Sequence, residues 1–353
     1  MPWYRRARIW ISIVTFALVA ALVAGSWNHI IDAFHSLARV DVWVLLLLVP
    51  VQLLSYWVTG ETMFSFLRSR GELRGMHPLT AMRMSLEFNF SNHMLPSAGA
   101  AGIVYTTWKL GRFGVSPERA SVAQLARFAV TFISFSVLLT AATVSLVLAG
   151  EGSPQVLGAA ALVGALALVS TTVGVVLLRR RRLLHRTAGL VTALANRVLR
   201  LLRRPNPLSS VPVVRYFDGL YLEVRALGER PATLLRPFLW SAVTNLADAS
   251  LFFIALSAFG VVPDPRLVFV AYGLATLASI VIVTPNGLGA YEVALIAVLV
   301  SGGLAEGTTI AAVVLARVVL LLGTIVFGWG FYQQSVLRSG APPIRVRHLD
   351  SRS

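Results

Sequence analysis

The stretch Thr284-Pro285-Asn286-Gly287-Leu288-Gly289 interrupts an apolar run that extends over residues 266–301. Proline disfavours helix at the residue before it, and glycine just after it loosens the backbone further. The run therefore reads as helix, break, helix. A second stretch, 79–112, has the same character, with Pro96 inside Asn92-His93-Met94-Leu95-Pro96-Ser97-Ala98-Gly99. What these two breaks mean depends on the solvent around them.

That solvent is lipid. Of 353 residues, 56% are hydrophobic and only 13% are charged, with a mean hydropathy of +0.75. A water-soluble fold cannot hide so much apolar surface. Runs 9–23, 42–54, 156–178 and 310–327 are long enough, with their flanks, to cross a hydrocarbon core of roughly 30 Å. The first run follows Arg5, Arg6 and Arg8, yet no small-residue cleavage site opens a polar mature domain, so it reads as a retained helix. The chain has no cysteine, which removes disulfides and thiolate metal sites. Six histidines lie scattered without metal-ligand spacing, and no phosphate-binding loop appears, so neither metal, cofactor nor direct use of ATP is expected.

The formal charge of +16 is concentrated beside the apolar runs, which fits the positive-inside rule rather than nucleic-acid binding. Basic residues mark the N-terminus, 68–74, 109–119, 179–204 and the tail as cytoplasmic, whereas the connections near 28–41, 151, 264–266 and 306 carry only Arg39 and Arg266. Lys109, the only lysine, reads as composition bias. These constraints give six full crossings near 9–25, 42–67, 119–149, 155–178, 234–259 and 307–333, with both termini inside. The two broken stretches must then begin and end on one side, as re-entrant hairpins; the rival is a pair of kinked ordinary spans. The expected fold is an all-α polytopic protein of the cytoplasmic membrane, a single integral domain over 1–353. Residues 179–233 form a basic, amphipathic cytoplasmic linker lying on an anionic lipid surface.

The two breaks also share their surroundings. Pro96 is followed 18 residues later by Gly114 and 31 later by Arg127, in Leu125-Ala126-Arg127. Pro285 is followed 18 residues later by Gly303 and 32 later by Arg317, in Leu315-Ala316-Arg317. A span precedes and another follows each break, giving repeat units of about 42–149 and 234–333. The first enters its hairpin from inside and the second from outside, the mark of inverted-repeat transporters with a site near the midplane.

At these residues a resemblance appears. Pro285-Asn286-Gly287-Leu288-Gly289-Ala290-Tyr291-Glu292, a Gly-rich turn and Leu315-Ala316-Arg317 resemble the C-terminal signature of the lysylphosphatidylglycerol synthase transmembrane-region family. The likeness extends from about residue 10 to 335. It implies lipid translocation, as in the flippase half of multiple peptide resistance factors. Members often carry a glutamate soon after the first proline and glycine, whereas Gly99–Val104 here holds no acid. That departure speaks against a cationic aminoacyl lipid.

Ionisable groups inside a membrane are functional candidates by default. Arg127, Arg317 and Glu292 are expected at a substrate site, together with Pro96, Gly99, Gly102, Pro285, Asn286, Gly287 and Gly289. Beyond each break a helix starts within the membrane, and its free amide N–H groups favour an anion. Glu87, His93 and Asp248 are candidates for a proton or charge relay, with Asn245 one turn before Asp248. For each, the plainer reading is an internal ion pair or hydrogen bond; Glu61, Arg68 and Arg83 lie near helix ends and read as structural.

The resulting expectation is a flippase for an anionic phospholipid or a polyprenyl-phosphate-linked lipid, with no catalytic motif. The alternatives are a non-catalytic partner of an envelope-lipid synthesis enzyme, or a polytopic lipid-modifying transferase. Expected partners are the lipid substrate, the anionic cytoplasmic leaflet and such an enzyme, but no nucleic acid.

Overall fold

The computed structural model describes residues 40–73, 76–94, 100–150, 210–281 and 290–331, with isolated positions between 158 and 197. The expected span at 9–25 and the breaks holding Pro96, Gly99, Pro285, Asn286, Gly287 and Gly289 lie outside them. The span at 155–178 is described only at isolated positions, all helical. Every regular element among the described residues is helical.

The helices are α1 (Val42–Ser69), α2 (Pro78–Met94), α3 (Ala100–Gly111), α4 (Pro117–Leu148), α5 (Ser210–Glu229), α6 (Pro231–Ala258), α7 (Pro265–Val281), α8 (Ala290–Ser301) and α9 (Glu306–Trp329). Helices α1, α4, α6 and α9 are long and apolar enough to cross a membrane, and they fall within a few residues of four expected spans. Their starts carry local signals. The Asp41 carboxylate accepts from the Trp43 and Val44 amides at 2.9 and 3.3 Å, and Ser116 caps α4 ahead of Pro117 and Glu118. Both arrangements satisfy amides that the first helical turn leaves free. Trp43, Leu148 and Val262 are more than four-fifths exposed, as expected of side chains facing lipid.

The succession of lengths repeats. Helices α1 and α6 both have 28 residues, and the described parts of α2 and α7 both span 17 and those of α3 and α8 both 12. The stops repeat too. Gly71, Gly114, Gly260 and Gly303 all adopt positive φ, a conformation that glycine reaches without Cβ strain. After each, the next amide reaches back five residues: Glu72 to Leu67, Val115 to Leu110, Val261 to Leu256 and Leu304 to Leu299, at 3.0–3.2 Å. This is the Schellman closure of a helix C-terminus. One constant offset carries Gly71 onto Gly260 and Gly114 onto Gly303.

Packing follows the same pattern. Helices α1 and α6 make the most extensive contact in the molecule and run antiparallel, from the Asp41 amide on the Ala258 carbonyl to Trp57 beside Trp240. Helix α2 packs on the end of α9, and α7 packs on α4, so each unit's second helix rests on the other unit's last. Helices α2 and α3 are antiparallel, as are α7 and α8, where the end of α8 at Gly302 meets Leu267 near the start of α7. Part of the basic linker, α5, packs Leu220 and Val224 against Leu67, Ala120 and Val122. Glu223 fastens it by ion pairs at 3.0 Å to Arg70 and Arg119.

Candidate functional site

The polar face of α1 carries Gln52, Ser55, Tyr56, Thr59 and Thr62, spaced so that they line one side of the helix. The offset that superposes the glycine caps carries Gln52 onto Ser241, Ser55 onto Thr244, Tyr56 onto Asn245 and Thr59 onto Asp248, so α6 presents a matching polar row. All except Ser241 border a cavity of about 740 Å³. Around it stand α1, α2, α4, α6, α7, α8 and α9, drawn from both repeating units. Arg127, Asp248, Glu292 and Arg317, which lie far apart in sequence, all reach this space, as does Asn245.

The two arginines sit in different company. The Arg317 Nε lies 2.6 Å from the Glu292 carboxylate, and its guanidinium stacks over the Tyr291 ring at 4.1 Å. Arg127 is 9% exposed and lies between the Phe88 and Phe128 rings, its Cζ 4.7 and 4.4 Å from their centroids. Among the described residues no acid pairs with Arg127, and its Nε has no hydrogen-bond partner. A desolvated cation held only by aromatic faces is poised for an anion.

Asp248 accepts hydrogen bonds from the Ser55 hydroxyl and, at 3.5 Å, from the Tyr272 hydroxyl. Glu87 is different. It is fully buried away from the cavity and gathers Arg83 Nε at 2.9 Å, Tyr105 OH at 2.6 Å and Lys109 Nζ at 2.8 Å. This cluster ties α2 to α3, so the only lysine has a structural partner that composition did not reveal. Glu61 is buried and paired with Arg68, a deeper position than a helix-end residue suggests. His93 lies near the end of α2 and Gly102 in the first turn of α3; the His93 side chain falls outside the described positions.

Sequence reasoning missed the hydroxyl- and amide-bearing part of the wall. Gln52 Nε2 donates to the Leu320 carbonyl at 2.7 Å and to the Tyr56 hydroxyl at 2.8 Å, while Tyr56 and Thr324 share a hydrogen bond. At this point α9 widens into a π-helix over Thr324–Trp329. Such wide turns are uncommon and cluster at functional sites. On the other side, Ser241 donates to Thr131 at 2.9 Å, and the Asn245 amide contacts the Thr131 carbonyl and Ser134 hydroxyl at 3.4 Å. The signal for these residues was present as polar letters at helical spacing on α1 and α6.

No curated protein matches the chain. The sequence profile of the lysylphosphatidylglycerol synthase TM region, by contrast, matches residues 9–328, which covers both repeating units and every wall of the cavity. The chain is thus a membrane protein with a lipid-related setting, and it belongs to the lysylphosphatidylglycerol synthase transmembrane-region family.

Proposed function

We propose that the protein carries a lipid with an anionic phosphate head group across the cytoplasmic membrane, acting as a transporter rather than an enzyme. The observation that carries this reading is Arg127, a buried guanidinium without an acidic partner among the described residues, in the wall of a cavity enclosed by apolar helices. Leaving a cation so exposed to a low dielectric is unfavourable unless an anion visits it. A volume of about 740 Å³ falls within the range of small-ligand sites, roughly 300–1,000 Å³, and accommodates a head group while the tails stay in lipid.

The architecture supports the same reading. We read the α2/α3 and α7/α8 pairs as re-entrant hairpins because the helices of each pair are antiparallel and the charge bias of the sequence requires both stretches to begin and end on one side. The antiparallel lead helices and the exchanged packing support reading the two units as an inverted repeat, and the charge bias of the sequence supports cytoplasmic termini. Relative tilting of such units opens a central site to one face and then the other. The cytoplasmic leaflet and an enzyme of envelope-lipid synthesis are the partners this role implies.

The test is flipping by purified protein in liposomes. Head-group-labelled phosphatidylglycerol, phosphatidylethanolamine and a short polyprenyl phosphate are followed by quencher access, beside Arg127→Ala. Faster movement of a phosphate-bearing lipid, lost in the variant, is expected. Equal rates in protein-free and protein-bearing vesicles for all three lipids overturn the reading.

A further inference from the structure

Among the described residues Glu61, Glu87, Asp248 and Glu292 are acids set within the helical bundle, and they divide sharply by their partners, Glu61 being paired with Arg68. Glu87 is held by Arg83 and Lys109, and Glu292 by Arg317, with nitrogen–oxygen distances of 2.6–2.9 Å. Asp248 lines the cavity, and it accepts hydrogen bonds from two hydroxyls, those of Ser55 and Tyr272. Among the described residues no cation pairs with it. We propose that Asp248 takes up a proton each time a lipid phosphate binds, so that the protein is a proton-coupled lipid transporter. This rests on the phosphate-lipid reading given above.

The argument is one of charge balance. The described charged residues of the cavity are Arg127 and Arg317 against Asp248 and Glu292, formally neutral together. A phosphate diester entering alone leaves one net negative charge in a low-dielectric space, facing an aspartate that has no countercharge of its own. Anion plus proton restores neutrality. Binding of either then strengthens binding of the other by the same factor, which is the requirement for coupling. Glu292 and Glu87 are unsuited to the task, because protonating either strands the arginine or lysine beside it.

Helices α1, α4, α7 and α9 pack against α6, and α8 closes the cavity beside it. The cavity brings Tyr56 from α1, Arg127 from α4, Tyr272 from α7, Tyr291 and Glu292 from α8, and Arg317 from α9. The tyrosines are neutral donors, Arg317 is committed to Glu292, and Arg127 is the docking point for the phosphate. The hydroxyls of Ser55 and Tyr272 serve both states of Asp248, donating to the carboxylate and accepting from the acid.

The test uses phosphatidylcholine vesicles with a trace of head-group-labelled phosphatidylglycerol and an interior about one pH unit above the exterior. For one proton per lipid, the wild type drives the label into the inner leaflet to an excess of about tenfold, since one pH unit is a tenfold proton ratio. A protonophore abolishes the excess, exchange of sodium for choline leaves it intact, Asp248→Asn brings the leaflet ratio to about one, and Asp248→Glu keeps the response. Thermal unfolding of each variant shows that it is folded.

The proposal is overturned if label equilibrates regardless of the gradient, if accumulation follows sodium, or if it persists in Asp248→Asn. It also falls if phosphatidylethanolamine moves independently of the gradient while phosphatidylglycerol does not move at all, with or without the gradient, which would assign the Asp248 partner to the lipid's own ammonium. In all these cases lipid still moves, so the transport reading stands. If neither lipid moves under any condition, the transport reading falls as well.

Discussion

The two repeating units share helix lengths and caps but place their charges in opposite ways. In the first unit the α2/α3 pair is tied by Glu87 with Arg83, Tyr105 and Lys109, while Arg127 on α4 has no acid beside it among the described residues. In the second, α7 and α8 meet through apolar side chains such as Val270, Ala271, Ala275, Leu295 and Leu299, and Arg317 on α9 is neutralised by Glu292. One unit therefore spends its ion pairs on holding a hairpin and presents a bare cation. The other holds its hairpin by packing and keeps its cation compensated. On the proposed reading, the difference gives a repeated scaffold a polar cavity with a direction, binding the anion at Arg127 and the proton at Asp248.

The largest stability effect expected from breaking this comparison is at the compensated arginine. Arg317→Ala strands Glu292, and losing one partner of a buried pair costs about 3–5 kcal/mol; the lower end applies because Arg317 retains some access to the cavity. Denaturation in detergent measures it, and Glu292→Gln together with Arg317→Gln recovers most of the loss. Arg127→Ala removes no ion pair. It forfeits aromatic contacts of about 0.5–2 kcal/mol while abolishing lipid movement, so stability and transport separate in the first unit and fall together in the second.

Backbone approach offers a third contrast. A Cβ on Gly60 meets Ser85 Oγ at 1.6 Å and its Cβ at 2.8 Å, whereas the offset places Ala249, which has a Cβ, at the equivalent site of α6. Gly60→Ala is expected to lose about 1–3 kcal/mol by overpacking α1 on α2, and Ala249→Gly much less. The smallest effect belongs to Gly323→Ala. There the new Cβ meets the end of the Gln52 side chain at 2.2 Å, which can swing aside. A loss of about 1 kcal/mol, relieved in a Gln52→Ala background, is expected in thermal melts.

Much of this was legible in the sequence, for physical reasons. Spans 42–67, 119–149, 234–259 and 307–333 are apolar runs bounded by charge, and α1, α4, α6 and α9 follow them closely. Gly114 and Gly303 stood out because helix ends need a residue that tolerates positive φ. Pairing was less visible. Nothing in Glu292 and Arg317 alone says that they meet, nor that Arg127 lacks such a partner, because only the crossing of α8 and α9 decides it. The match of Thr59 to Asp248 and Tyr56 to Asn245 escaped notice because the aligned positions share no identical residue. Glu61 was read as a helix-end residue and Lys109 as composition bias, yet Glu61 is buried against Arg68 and the Lys109 stem carries its charge inward to Glu87.

The central claim is that a lipid phosphate occupies the cavity at Arg127. The chain has no cysteine, so a single Thr59→Cys places one thiol in the cavity wall, at the position that the offset matches to the second unit's Asp248. Its labelling rate by a small, membrane-impermeant thiol reagent is then compared in phosphatidylcholine vesicles with and without phosphatidylglycerol. The account predicts labelling that slows when phosphatidylglycerol is present, and loss of that protection in Arg127→Ala. Labelling unaffected by the anionic lipid, or protection that survives Arg127→Ala, would contradict it.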